Sequence, residues 1–149
     1  MSGTLKVLFL CTGNSCRSQM AEGWTRVLKP ESIEPYSAGI VKRSVDPRAV
    51  RAMAEAGVDI SMQYSKTIDE LPVTEFDYVV TVCDHAHGTC PVFPGTAVVV
   101  HRGFDDPPAL AQDAPSEEGA MQHYRRVRDE IRAFVETLPE SLTKKGAHE

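Results

Sequence analysis

Positive charge is scarce in this chain: 16 Lys and Arg face 21 Asp and Glu, a formal net charge of −5 at pH 7. That balance excludes the basic field by which proteins hold nucleic acid or an anionic membrane, so any bound anion has to be gripped locally. Long apolar runs are missing too. Val7 to Leu10, after Lys6, falls far short of the ~20 residues that cross a bilayer, and no signal-peptide cleavage pattern follows it. A soluble, cytoplasmic protein is expected, with no nucleic-acid or membrane partner. Cysteine is sparse, with four residues, and in a reducing compartment these do not make a disulfide framework. They are expected to be reactive, metal-bound or inert. Repeats, low-complexity tracts and linkers are absent as well. The 149 residues, 42% apolar, are therefore expected to form one domain over 1–149, with 143–149 as a frayed tail.

Along the chain, short apolar runs alternate with helical patterns. Leu5 to Leu10 has the look of a buried strand and stops at the turn-like CTGNS. Met20, Trp24 and Val27 then recur at helical spacing until Pro30. Ile33 to Ser37 is a weaker strand. Asp46-Pro47 supplies an N-cap and a first-turn proline for a helix reaching about Ala56, stopped by Gly57. Phe76 to Val82 and Thr96 to His101 are rich in β-branched residues and predict two more strands. Gly103, Asp105, Asp106, Pro107 and Pro108 are expected to be loop, and the chain from Ser116 onward, with apolar residues stepping from Met121 to Leu138, a long amphipathic helix. The pattern predicts an α/β fold: a four-stranded parallel sheet with helices on both faces. Ligands in such sheets bind at the carboxyl ends of the strands, near the switch point. Cys11, Cys83 and Asp106 all follow predicted strands and should share that rim.

Residues 11–18 read CTGNSCRS between a strand and a helix. Successive inward-turned N–H groups and the positive end of the following helix make a cradle for a tetrahedral anion. Thr12, Gly13, Asn14, Ser15, Cys16, Arg17 and Ser18 are the expected anion-binding residues. Gly13 and Asn14 suit the left-handed backbone of such a nest, and Arg17 offers a planar fork for two oxygens. The same field is expected to lower the pKa of Cys11, with Ser18 donating to its sulfur. The loop is not a Walker A motif, because the lysine is missing.

With CTGNSCRSQMAEGW at 11–24, YSAGI at 36–40, the Cys83 and Cys90 pair, GFDDP at 103–107 and RVRDEI at 126–131, the chain resembles the thioredoxin-coupled arsenate reductases built on the low-molecular-weight protein tyrosine phosphatase fold. The resemblance implies Cys11 as nucleophile, Arg17 as anion-binding arginine and Asp106 as general acid. It also implies Cys83 and Cys90 as the redox pair separating the reductases from the phosphatases. Arsenate would be the substrate, with phosphate or sulfate as competing oxyanions. No tightly bound cofactor is implied, since the electrons come from reduced thioredoxin, and a monomer is expected. Some relatives hold potassium near the loop through an Asn, a Glu, a Ser and an Asp. Asn14, Glu22 and Ser37 match, but the fourth position is Lys66, whose ammonium is expected to replace the ion.

Reducing arsenate takes two electrons, the number released when two thiols become a disulfide. The relay implied by the resemblance runs from a Cys11–arsenic adduct to a Cys11–Cys83 disulfide, then to a Cys83–Cys90 disulfide. Neighbouring strands lie ~4.8 Å apart, so Cys83 can reach Cys11 if their strands are adjacent. Cys83 to Cys90, if helical when reduced, would span ~10.5 Å and must unwind to close a disulfide. Cys16 is left without a catalytic role.

Two rival readings remain. Cys83, His85, His87 and Cys90 crowd into eight residues but lack the paired blocks of structural zinc sites, and no metal site is expected beyond that monovalent-cation position. The nearer alternative is a tyrosine phosphatase acting through a phosphocysteine. Against it, Pro107 is followed by Pro108, where the phosphatases usually carry an aromatic residue.

Overall fold

All three strand pairs among the described residues are parallel. The computed structural model describes residues 4–73, 75–83 and 97–142. In chain order these form β1 (Leu5–Cys11), α1 (Arg17–Leu28), β2 (Ile33–Gly39), α2 (Pro47–Glu55) and a 3-10 turn (Ile68–Glu70). They continue with β3 (Tyr78–Thr81), β4 (Val98–His101), α3 (Pro107–Ala111) and α4 (Glu117–Glu136). The sheet order is β2-β1-β3-β4, so the chain reverses direction across the sheet between β1 and β3. That switch point lies beside Cys11, the last residue of β1.

β1 is a continuous apolar run because both of its faces are covered. Val7 and Phe9 belong to a core with Met20 and Trp24 of α1, Met53 of α2 and Tyr124 and Ile131 of α4. Leu8 and Leu10 point the other way, into a smaller cluster with Val79, Ala38, Leu71 and Phe76. The α-helices cover the first face. The second is closed by the 3-10 turn, through Ile68, and by the chain after it. The Glu70 carboxylate caps that turn by accepting the Thr67 N–H at 2.9 Å.

Asp46 caps α2 as expected, its Oδ1 accepting the Arg48 N–H at 2.9 Å with Pro47 in the first turn. Its other oxygen accepts from the Tyr124 hydroxyl at 2.5 Å, which ties the start of α2 to α4. One expectation is corrected. Pro107 and Pro108 do not extend a loop; they open α3, with Asp106 at the N-cap. Proline lacks the N–H that a first turn cannot use, and its fixed φ suits the helix start. The Asp106 side chain makes no capping bond, which leaves its carboxylate available elsewhere. The tail expected at 143–149 lies outside the described residues.

Candidate active site

The loop after β1 is held from three sides. The Thr12 carbonyl accepts the N–H groups of Ile40 and Val41 at 2.9 and 3.1 Å. The Asp46 N–H donates to the Ser15 carbonyl at 2.8 Å. Ser65 Oγ donates to the Gly13 carbonyl at 3.1 Å while accepting the Arg43 N–H at 2.9 Å. Asn14 takes the left-handed conformation, with φ at 50°. Its buried amide is a hub: Nδ2 donates to Ser18 Oγ, and Oδ1 accepts from Gln19 Nε2 and from the Lys66 N–H, at 2.9, 2.9 and 3.0 Å. Gly13 is not left-handed, which corrects the expectation. Its need is for space, because a Cβ there would sit 2.7 Å from Cδ of Arg43.

Residues 11–17 line a cavity of about 360 Å³ together with Arg43, Cys83, Asp106 and Pro108. Arg17 is buried; its Nη1 donates to the Phe104 carbonyl at 3.0 Å and its Nη2 lies 3.6 Å from Asp106 Oδ1. Asp105 instead turns outward to Arg126 at 3.1 Å, so of the two aspartates Asp106 faces the site. β1 and β3 are neighbours, and Cys83 lines the cavity wall with Cys11. Cys83 is disulfide-bonded, whereas Cys11 and Cys16 are free thiols. Cys90, His85 and His87 lie outside the described residues, as does the expected unwinding of 84–90. Ser18 sits behind the loop with Asn14 rather than in the cavity lining.

The pKa of Cys11 departs from expectation. Burial pushes the Cys11 thiol above its ordinary value, outweighing the Arg17 guanidinium and the N–H groups of Thr12 and Gly13, while Asp106 adds to the rise. Cys16 is pushed well up, first by burial and then by the Asp46 carboxylate, which suits an inert thiol.

A second cavity of about 210 Å³ opens behind the loop and is lined by Glu22, Ser37, Gln63, Tyr64 and Lys66, among others. Ser37 Oγ donates to Glu22 Oε1 at 2.5 Å. Lys66 Nζ donates to the Tyr64 carbonyl at 2.9 Å and lies over the Tyr64 ring. Burial lowers its pKa, while Glu22 and Glu70 oppose the change. Glu22, Ser37 and Lys66 thus line one cavity, with Asn14 bonded to the Lys66 backbone. Among the described residues no cluster of three or more His, Cys, Asp or Glu could hold a metal ion. The sequence reading missed Gln19, Ser65 and Arg43. Gln19 stood within the quoted motif, and nothing in the local pattern of the other two marks them.

Residues 6–148 match the family described as low molecular weight phosphotyrosine protein phosphatase. An arsenate reductase of Halalkalibacterium halodurans is 50% identical over 135 residues, 91% of this chain and 95% of that protein. A solved arsenate reductase in the phosphate binding state is 32% identical with a TM-score of 0.74, covering 90% of this chain and 95% of the other. Another, in the oxidized state, is 31% identical with a TM-score of 0.71, covering 89% and 95%.

Proposed function

The chain belongs to the low molecular weight phosphotyrosine protein phosphatase family, and we propose that this member reduces arsenate to arsenite through a relay of three thiols. The observation that carries the reading is the convergence of Cys11, Arg17, Asp106 and Cys83 on one cavity at the sheet's switch point. The loop N–H groups and Arg17 grip three oxygens of the anion, where phosphate or sulfate can compete. Cys11 attacks arsenic, and Asp106 protonates the departing oxygen, a role worth ~10² to 10⁴ in rate. Cys83 then attacks the Cys11 sulfur. The sulfur–arsenic bond breaks with its electron pair left on arsenic, which becomes arsenite, and a Cys11–Cys83 disulfide forms. Cys90 attacks Cys83, frees Cys11 and moves the disulfide to Cys83–Cys90, where reduced thioredoxin resets it. A disulfide-bonded Cys83 beside a free Cys11 accords with that last stage.

The relay needs no tightly bound cofactor, acts as a monomer, and belongs in a reducing compartment such as the cytoplasm. Lys66 supplies beside Glu22 and Ser37 the positive charge that a potassium ion provides in some relatives. The test is arsenate-dependent NADPH oxidation with thioredoxin and its reductase, on wild type and Cys90→Ser. The variant should form one arsenite per enzyme and then stop. Hydrolysis of p-nitrophenyl phosphate without any arsenate turnover in the wild type would make the chain a phosphatase acting through a phosphocysteine instead.

A further inference from the structure

We infer that Arg43 selects free inorganic oxyanions over their organic esters, by meeting the one oxygen that the loop leaves facing the cavity mouth. The inference rests on the anion-binding reading above. When Cys11 attacks in line, three oxygens lie against the loop N–H groups and Arg17, and the fourth points outward toward Asp106. In an inorganic anion that oxygen carries charge or a proton. In an ester it carries the organic group.

Arg43 belongs to the segment between β2 and α2, and its side chain runs across the anion loop. Its Cδ and Nε would lie 2.7 and 3.0 Å from a Cβ at Gly13, so the aliphatic stem rests where that glycine leaves room. Its backbone is pinned to the same loop through Ser65, and its exposed side chain joins the cavity lining. Among the chain's ten arginines it is alone in having no hydrogen bond, ion pair or ring contact from its side chain to the described residues. Arg17, by contrast, is already committed to Phe104 and Asp106. A guanidinium without a partner among the described residues, at the mouth of an anion site in a protein of net charge −5, is suited to a charge-assisted hydrogen bond to that one outward-facing oxygen. The rest of the mouth offers little to an aryl ester: Pro108 flanks Asp106, and no aromatic ring is among the described lining residues.

The inference is tested with Arg43→Ala and Arg43→Lys. One readout is the concentration of inorganic phosphate, or of phenylphosphonate, that half-protects Cys11 from iodoacetamide, followed by peptide mass spectrometry. The other is the split of arsenate turnover into KM and kcat. Arg43→Ala should raise the half-protecting phosphate concentration and the arsenate KM about tenfold, with kcat within about twofold. Protection by phenylphosphonate should change by less than about twofold, and lysine should restore only part of the phosphate affinity. Equal weakening of both anions, or of neither, overturns the selection role. A wild type that neither binds phosphate nor turns over arsenate overturns the reductase reading beneath it, an outcome the protection assay separates because it needs no turnover.

Discussion

Adding one methyl group at Gly39 should cripple the site from outside it. A Cβ there would lie 2.6 Å from the Thr12 carbonyl oxygen, 2.9 Å from the Asn14 nitrogen and 3.0 Å from the Cys11 carbonyl oxygen. All three are backbone atoms of the anion loop, so no side chain can swing aside. Ordinary contact begins at 3.4 Å, so the loop has to retreat by 3.4 − 2.6 = 0.8 Å. Overpacking of this kind costs ~1 to 3 kcal/mol, and a shift of ~1 Å at a reacting centre costs ~10²-fold in rate. Gly39→Ala should therefore lower kcat/KM for arsenate by about 10²-fold, with a reduced urea midpoint. Gly57→Ala is the control: φ there is 87° with nothing within 4 Å, so it should lose ~1 to 2 kcal/mol of stability and no activity. A folded Gly39→Ala protein with kcat/KM within roughly threefold of wild type would refute the claim that this close approach sets the loop's position.

Asp106→Asn should cost ~10² to 10⁴ in arsenate turnover, whereas Asp105→Asn, which only loosens an exposed pair with Arg126, should cost little; equal losses would remove the assignment of the acid. Because burial raises the Cys11 thiol above its ordinary 9.0, the thiolate fraction grows with pH, and alkylation of Cys11 should still be accelerating at about pH 9. Removing the Asp106 charge should move that profile to lower pH, and a wild-type plateau below about pH 8 would contradict the burial argument. Turnover should be the same in potassium and sodium salts at equal ionic strength; a potassium-specific activation would show that Lys66 does not supply the charge.

The strands and long helices were legible because their signals are local. β1 announces itself as an apolar run, α2 by Asp46-Pro47, and α4 by its stepping apolar residues. The parallel sheet followed from their alternation, and the anion loop from its residue types and place. What could not be read depends on residues far apart in the chain. A double proline reads equally as loop or as helix start until the sheet places Asp106 beside Arg17. The rise in the Cys11 pKa comes from burial, which no spacing within CTGNSCRS encodes. Arg43 and Ser65 reach the loop only because β2 pairs with β1 and Gly39 bridges to Thr67.

The Asn14 hub and the Arg17 clasp also carry an order of events. Asn14 is satisfied by Lys66, 52 residues downstream, and Arg17 by Phe104, 87 residues downstream. On a chain emerging from the ribosome, β1 is complete long before either partner exists. The Asn14 hub lacks its Lys66 partner until residue 66 arrives, and the Phe104 carbonyl is not there to orient the arginine until β4 has joined the sheet. A nascent chain therefore carries Cys11 as an ordinary cysteine through most of its synthesis. The oxyanion trap closes only as the last third of the polypeptide docks, so anion affinity reports completion of the whole fold rather than the health of one loop.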